Sequence, residues 1–320
     1  MIERVLLIVN SASGTGSGPA LPAQLLGALR DSAGRLREIE LALVRDHPAA
    51  RVAARSFLAA SDGPAAVIVA GGGGTLRAAV EGVFDADLAA CQTWIGALRM
   101  GSGNVIARRL GVARDPLVGA RQLGTALRLG RTAERPVLRC ELGTAAGTLD
   151  VRHAVVMCGL GQWGRTSGDL ARWHGRMGRS RAAAAALAGL ERVNHLEYVA
   201  AAGGRLLEAA VWPAACERVE VSFGGAAERY RLLAGTVMTA PIGGIPFDPR
   251  VGAGEVAAGA LLVPRGGRPR RYRLAPGEPL RIRLLDRRAV ELFLDEDPEV
   301  AHREISLHVA GNLSFLEVAA

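Results

Sequence analysis

The chain has 320 residues and a formal net charge of +8, and its 39 basic residues are all arginine. This length allows one large domain or two, and a hydrophobic content of 49% favours a folded globular protein. Because the chain has no lysine, a Walker A phosphate loop and a pyridoxal phosphate Schiff base are both excluded. With 4% aromatic residues and no helix-turn-helix or zinc-finger spacing, nucleic acid is not expected as a partner.

The four cysteines lie far apart in the sequence and include no CxxC pair. Neither a metal site nor a disulfide framework is therefore expected from their spacing. The apolar run at the start of the chain is too short for a signal peptide, and no run of 18 apolar residues indicates a membrane span. A cytoplasmic protein is expected.

Strand and helix patterns alternate through the first part of the chain. Short apolar runs predict strands, and apolar residues at spacings of three and four predict the helices between them. This alternation predicts an α/β domain with a mostly parallel, doubly wound sheet and helices on both faces. The predicted strands cover residues 5–9, 38–44, 66–70 and 93–98, and the predicted helices cover residues 20–34, 48–60 and 104–110, with a further helix directly after residue 75.

Three of these strands end in loops rich in Gly, Ser, Thr or Asn. The strand at 66–70 runs into four glycines and Thr75, and a helix pattern follows at once. Glycine lets the backbone approach a ligand, and the unpaired amides of a helix start point toward it, so this turn can hold a polyanion. Ligands gather at the carboxyl ends of strands in such sheets. A tight turn that binds nothing is the alternative.

The pattern changes after about residue 132. Helical pattern is confined mainly to residues 164–193, and from residue 197 on, short strand-like runs alternate with Gly and Pro turns. We therefore predict an α/β domain over residues 1–132 and a sandwich-like, antiparallel β-rich domain over residues 133–309. The predicted strands of the second domain cover residues 219–223, 230–238, 260–263, 280–285, 290–294 and 305–309, and residues 264–271 are expected to form a basic surface hairpin.

Four segments stand out in chain order: VLLIVNSASG at 5–14, GGGGT at 71–75, GSGNVIARRLGV at 101–112 and LDED at 294–297. Together they resemble motifs of the diacylglycerol kinase catalytic-domain family, which includes bacterial lipid kinases and sphingosine kinases and shares its nucleotide fold with NAD kinases. Residues 5–14 (VLLIVNSASG) are similar to its opening strand and Asn-Pro-x-x-Gly loop, and residues 71–75 (GGGGT) to its Gly-Gly-Asp-Gly-Thr signature. Residues 101–112 (GSGNVIARRLGV) resemble its Gly-Thr-x-Asn-Asp-Phe-Ala-Arg segment. LDED at 294–297 falls where Leu-Asp-Gly-Glu is expected. The resemblance runs through nearly the whole chain.

The resemblance implies transfer of the γ-phosphate of ATP to a hydroxyl of a diacylglycerol-like or other lipidic alcohol. It places ATP and Mg²⁺ at the loops of the first domain and a lipid site toward the β-rich domain, and it implies that the segment at about 310–320 returns to the first domain. The residues assigned to nucleotide binding are Asn10, Ser13, Gly14, Gly71, Gly72, Gly73, Gly74, Thr75, Gly101, Ser102, Gly103, Asn104 and Arg108.

Asp295 is the candidate general base, and Asp297 supplies neighbouring charge or a metal ligand. The alternative for this pair is a solvated acidic turn. Trp163 and Trp173 flank a basic stretch that is a candidate for peripheral membrane contact or for binding an acyl chain, with ordinary packing as the alternative.

The sequence departs from the family pattern at acidic positions. Gly73 stands where the signature has aspartate, and Val105 stands where an aspartate usually follows Asn104. Mg²⁺ in phosphotransfer sites is held by carboxylate oxygens, so these replacements bear directly on metal binding. A second hypothesis is therefore a protein that keeps the kinase fold without Mg-ATP phosphotransfer. Such a protein would bind a hydrophobic or nucleotide ligand, or catalyse an ATP-independent step on a hydrophobic metabolite.

Overall fold

A computed structural model describes residues 2–12, 18–86, 93–101, 105–177, 196–239, 248–249, 257–286, 289–295 and 297–318. The chain divides into two compact units, one formed by Met1–Pro136 with Gly311–Ala320 and the other by Val137–Ala310. The helices are α1 (Leu21–Ala33), α2 (His47–Ala59), α3 (Gly73–Asp85), α4 (Val105–Arg109), α5 (Pro116–Leu129), α6 (Gly161–Gly164), α7 (Thr166–Met177) and α8 (Leu196–Val211), with a 3₁₀ turn at Pro213–Ala215. The strands are β1 (Arg4–Asn10), β2 (Glu38–Val44), β3 (Ala65–Gly71), β4 (Thr93–Arg99), β5 (Thr132–Gly143), β6 (Leu149–Ala154), β7 (Met157–Leu160), β8 (Glu217–Phe223), β9 (Ala226–Met238), β10 (Ala258–Pro264), β11 (Arg270–Leu274), β12 (Leu280–Leu284), β13 (Val290–Leu294), β14 (Asp297–Ala301) and β15 (Glu304–Leu316).

The first unit contains a parallel sheet in the order β15-β4-β3-β1-β2. The central strand β3 is buried along its whole length and has the sequence AAVIVAG, as expected for a strand covered on both faces. The chain moves from β1 to β2 and then back past β1 to β3, so right-handed connections place α1 and α2 on opposite faces. Accordingly, α1 packs against α5, and α2 packs against α3. The predicted doubly wound α/β architecture is confirmed.

Helix starts in the first unit differ in how their amides are satisfied. Asp46 caps α2 by accepting a hydrogen bond from the Ala49 amide at 2.9 Å. Asp115 does the same for α5 through the Val118 amide, also at 2.9 Å. The N-cap position of α3 is occupied by Gly72, which has no side chain and so cannot accept a hydrogen bond from the helix amides. The residue before α3 therefore supplies no side-chain cap, in contrast to Asp46 before α2 and Asp115 before α5.

The second unit is antiparallel and rich in strands, as predicted. Its strands follow the order β14-β13-β7-β9-β8-β12-β15, with β10 paired to β9, β11 paired to β10, and β6 paired to β5. Alternate residues of β12, LRIRL, are buried and exposed, which is the pattern of a strand with one face on a core. The predicted hairpin at 264–271 is present as the connection between β10 and β11.

Two helices differ from the sequence prediction. No helix was predicted over α5, although its aspartate cap, first-turn proline and left-handed Gly130 are sequence signals of a helix. The prediction that helical pattern is mainly confined to residues 164–193 is wrong, because α8 occupies Leu196–Val211. Its alanines, leucines and glutamates favour a helix, while Gly203 and Gly204 interrupt the pattern in the sequence. Among the helices within the described ranges, none combines the length and apolar character needed to cross a bilayer.

Candidate functional site

The candidate site of the first unit lies where β1 and β3 end. These two strands are neighbours in the sheet, but the connections that follow β1 and precede β3 run on opposite faces. In an open parallel sheet, the crevice at such a reversal of strand order is the usual ligand site. β4 lies beside β3 in parallel register, with Arg99 opposite Gly71, so its carboxyl end reaches the same edge. Three of the sequence-predicted loops therefore begin at one edge of the sheet.

A hydrogen-bonded pair ties the ends of β1 and β3 together. The Asn10 side-chain amide donates to the Thr75 hydroxyl at 2.9 Å, and the Asn10 carbonyl oxygen accepts from the Ala12 amide at 2.9 Å. Thr75 lies in the first turn of α3 and is 5% exposed. The hydrogen bond between Asn10 and Thr75 thus holds the end of β1 against the start of α3.

Two glycines at this edge are required by close approach. A Cβ at Gly71 would lie 2.7 Å from the Thr75 side chain. A Cβ at Gly101, just after β4, would lie 2.3 Å from the Cα of Gly72. Both distances are shorter than real Cβ contacts, so a side chain at either position must push the loops apart. The glycines bring bare backbone from β3 and β4 together at the start of α3.

Helix α3 is held in place by α2. Glu81 of α3 is fully buried and accepts hydrogen bonds from His47 at 2.8 Å and from Arg51 at 3.2 Å. Arg51 also pairs with Asp85 at 2.6 and 2.8 Å, and its hydrogen bond keeps the pKa of Asp85 below the ordinary value. A helix fixed by these cross-helix bonds presents its first amides in a constant direction, which favours binding of an anion.

Two arginines near this edge were not part of the sequence prediction. Arg99 is the last residue of β4, lies opposite Gly71, and has a buried Nε without a hydrogen-bond partner among the described residues. Arg77 lies near the start of α3 and is 4% exposed. Guanidinium groups suit phosphate oxygens. An arginine near the positive end of a helix dipole is an unfavourable placement, and this signal in the sequence could have identified Arg77.

Asp295 has a different setting, in the second unit. It follows β13, is 6% exposed and has a φ of 51°, in the left-handed region that few residues other than glycine adopt. One carboxylate oxygen accepts the Val155 amide at 2.5 Å, and the other accepts the amides of Val156 and Met157 at 2.7 and 2.9 Å. Consecutive amides that converge in this way form an anion-binding nest, and here the anion is the protein's own carboxylate.

Further contacts fix the same bend. The Thr239 hydroxyl donates to the Val155 carbonyl at 2.7 Å, and the Asp295 amide donates to the Met157 carbonyl at 3.0 Å. Cys158 lies next to this nest; burial, and secondarily the charge of Asp295, raise the pKa of its thiol far above the ordinary value. A thiol held neutral in this way is not a nucleophile. The bend is therefore a structural brace that joins β13 to the start of β7.

The remaining predicted residues are less defined. Arg108 lies on α4 with an exposed side chain, and Asp297 begins β14 and is half-buried. Within the described residues, no group of three or more His, Cys, Asp or Glu side chains is arranged to hold a metal ion. The predictions for Ser13, Gly14, Ser102, Gly103 and Asn104 lie outside the described residues.

ATP and Mg²⁺ fit the first-unit edge to different degrees. Gly71 and Gly101 allow the backbones of β3 and β4 to lie close together at the start of α3, next to helix amides that Gly72 does not cap. Such donors suit phosphate oxygens. The described polar side chains that join the loops there, Asn10 and Thr75, are neutral, whereas Mg²⁺ prefers carboxylate ligands. The described loop residues therefore fit a phosphate chain and do not by themselves make a magnesium site.

Comparisons with known proteins show similarity to diacylglycerol kinases. Residues 4–132 match the family model of the diacylglycerol kinase catalytic domain, so the predicted resemblance to this family is confirmed. A search of curated protein sequences found no match. The chain resembles the solved structure of a diacylglycerol kinase from Bacillus anthracis strain Sterne with 15% identity, coverage of 99% of this chain and 98% of that chain, and a TM-score of 0.61.

Two further solved structures, of candidate diacylglycerol kinases from the same strain, are also similar. One has 15% identity and a TM-score of 0.66, and the other has 16% identity and a TM-score of 0.64. Each comparison covers 99% of both chains. At such low identity, these likenesses show a shared fold over the length of the chain.

Proposed function

We propose, from the resemblance of residues 4–132 to the diacylglycerol kinase catalytic domain, that the protein transfers the γ-phosphate of ATP to a hydroxyl of a lipidic alcohol. The hydroxyl oxygen forms a new bond to the γ-phosphorus, the bond from that phosphorus to the bridging oxygen breaks, and ADP leaves. The proton of the hydroxyl passes to a carboxylate of the protein. A diacylglycerol-like acceptor at the second unit and a cytoplasmic location belong to the same proposal.

The observation that carries the proposal is the uncapped start of α3 at the reversal of strand order. Its amides follow Gly72, and no side chain among the described residues caps them. Asn10 and Thr75 fix the loop, while Gly71 and Gly101 keep Cβ atoms out of it. Backbone amides and a helix dipole stabilise phosphate charge without reorganisation, which is the main requirement of phosphoryl transfer. Arg99 adds a cation at the same edge.

The contacts of Asp295 indicate that Asp295 and Asp297, the two predicted catalytic acids, have different roles. Its carboxylate oxygens already accept three backbone amide hydrogen bonds within the fold. A general base has to accept a proton from the acceptor hydroxyl. We therefore assign Asp295 to positioning the start of β14, and Asp297, the first residue of β14, to accepting the proton.

A second candidate function is favoured by the neutral character of the first-unit loops. Gly73 is the first residue of α3 and stands where the signature that the sequence resembles has an aspartate. A protein without that aspartate could bind ATP, or another phosphate-bearing molecule, without transferring the phosphate. Binding without turnover is thus the alternative, and the assay below separates it from phosphotransfer.

The proposal is tested by incubating the full chain with γ-labelled ATP, Mg²⁺ and vesicles that contain a panel of lipidic alcohols. A labelled lipid product that disappears in Asp297→Asn is the expected result. Absence of labelled product with every lipid, together with absence of ATP binding, would refute it. ATP binding without product would support the second candidate instead.

A further inference from the structure

Helix α8 carries a row of exposed apolar residues between residues 200 and 211. The exposed residues Ala200, Gly204, Leu207 and Val211 are spaced by four, three and four, so they share one helix face. Leu207 is 69% exposed and Val211 is 65% exposed, and Trp212, directly after the helix, is 65% exposed. Single exposed apolar residues are ordinary, but a continuous stripe of them marks an interaction surface. We refer to Leu207, Val211 and Trp212 as the α8 patch.

Between residues 200 and 211, Arg205 lies away from this face by its spacing, and Glu208 lies at its border, three residues before Val211, with its side chain 42% exposed. Arg205 and Glu208 are half-buried and bond to each other at 2.7 Å. Arg205 also pairs with Asp169 of α7 at 2.6 and 2.7 Å, which keeps the pKa of Asp169 below the ordinary value. A helix at a water-facing surface normally shows the opposite arrangement, with charges outward and apolar residues toward the protein. The outward face of α8 is therefore suited to an apolar environment.

Arginines border one end of the patch. Arg265 donates to the carbonyls of Ala209 and Ala210 at 3.0 and 3.2 Å, which fixes its guanidinium at the last turn of α8. Arg231 donates to the Pro213 carbonyl at 3.2 Å, just after the helix. Neither guanidinium pairs with a carboxylate in the portion of the chain that the structure describes.

The β10–β11 hairpin adds to this charge. Arg265 begins the connection between the two strands, and Arg268 and Arg271 further along it are exposed. The segment from residue 264 to residue 273 contains five arginines and no acidic residue. Because the hairpin meets the last turn of α8 through Arg265, a positive surface adjoins an apolar one.

We propose that the α8 patch and the β10–β11 arginines form a docking surface for an anionic lipid bilayer. Leucine and valine side chains insert at the level of the acyl chains, tryptophan favours the interface, and arginines contact lipid phosphates. A second copy of the chain fits less well, because two such surfaces would bring like-charged arginines together. The surface would bring the protein to the membrane where a lipid acceptor resides, and to that extent it deepens the proposed function.

The test is sedimentation of the full chain with vesicles in the absence of ATP. One vesicle is phosphatidylcholine alone, and the other is an equal mixture of phosphatidylcholine and phosphatidylglycerol. The wild-type protein is expected to bind the mixed vesicles, and the triple variant Leu207→Ser, Val211→Ser, Trp212→Ser is expected to bind them at least about tenfold more weakly because the inserted apolar area is lost. The double variant Arg268→Gln, Arg271→Gln is expected to lose most of the preference for anionic vesicles.

Leu43→Gln is the matched control, since Leu43 is 63% exposed but lies on β2 of the first unit. This variant should bind vesicles like the wild type. Wild-type protein that stays in the supernatant with both vesicles overturns the proposal, as does a triple variant that binds as well as the wild type. A concentration-dependent dimer that the triple variant abolishes would identify a second copy as the occupant, and would also overturn it. Because no ATP is present, failure here is separate from failure of phosphotransfer.

Discussion

The two units of the protein treat clusters of backbone amides in opposite ways. In the second unit, the amides of Val155, Val156 and Met157 converge on the carboxylate of Asp295. In the first unit, the amides at the start of α3 follow Gly72 and receive no side-chain cap from the part of the chain that the structure describes. An internal carboxylate commits an amide cluster to holding the fold together, whereas a cluster without one is suited to an external anion. The comparison therefore assigns a structural role to Asp295 and a ligand-binding role to the start of α3.

The largest effect is expected at the filled cluster. Asp295→Ala removes the acceptor of three amides, and buried donors left unsatisfied should lower the free energy of unfolding by about 3 kcal/mol or more. Glu304→Gln, at an exposed acid that begins β15, is the control and should change stability by less than about 0.5 kcal/mol. Urea unfolding measures both. Equal stability of the two variants would contradict the assignment of Asp295 as a brace.

The unfilled cluster is tested through its closest backbone contact. Gly101→Ala places a Cβ 2.3 Å from the Cα of Gly72, so the β4 loop must move away from the start of α3. We expect a loss of about 1–3 kcal/mol in stability and an ATP affinity that is at least about tenfold weaker. In the control Gly27→Ala, the new Cβ meets nothing within 4 Å on α1. That variant should bind ATP normally in calorimetric titration, and a similar loss in both variants would contradict the account.

These two clusters also show how far the sequence could predict the structure. The strand at residues 38–44 and the glycine turn after β3 follow from local patterns, since apolar runs and glycines act over a few residues. The nest around Asp295 joins residues 138 to 140 positions apart, and nothing near Asp295 in the sequence marks those amides.

Contacts between distant segments also explain the other omissions. The approach of Gly101 to Gly72 and the position of Arg99 opposite Gly71 depend on strand order, which local pattern does not fix. In α8 several apolar residues are exposed, whereas prediction from apolar periodicity assumes that the apolar face of a helix is buried. The helix was therefore not predicted. The resemblance of the loops to a known family supplied the order of the motifs, but not the environment of each side chain.

The contribution of charge at the unfilled cluster is tested with Arg99→Gln. Loss of a guanidinium beside the phosphate site should weaken ATP binding by about tenfold while stability changes by less than about 0.5 kcal/mol. Arg30→Gln removes the same charge from an exposed position in the last turn of α1, at the opposite edge of the sheet, and should leave ATP affinity unchanged. If the two variants bind ATP equally, Arg99 has no part in the site.

The smallest effect is expected from giving the unfilled cluster its own acid. Gly73→Asp puts a carboxylate at the first position of α3, where the helix dipole favours it by about 0.3–1 kcal/mol. The affinity for ATP should then depend on Mg²⁺. It should rise by about fivefold with the metal, because the carboxylate ligates the cation, and fall without it, because the carboxylate repels the phosphates of metal-free ATP. Titrations with Mg²⁺ and with a chelator measure this. An affinity that is the same in both conditions would indicate that the loops have diverged further than this one residue.

The most direct test of the central claim is the thermal stability of the wild-type protein and of Gly101→Ala as ATP is added. A ligand at 100 times its Kd stabilises the folded state by about 2.7 kcal/mol, so the Tm of the wild type should rise steadily with ATP concentration. The Tm of Gly101→Ala should rise only at concentrations at least about tenfold higher, since its loops are displaced. A wild-type Tm that does not change at millimolar ATP, or an equal rise in both proteins, would contradict the assignment of the α3 amides as the phosphate site.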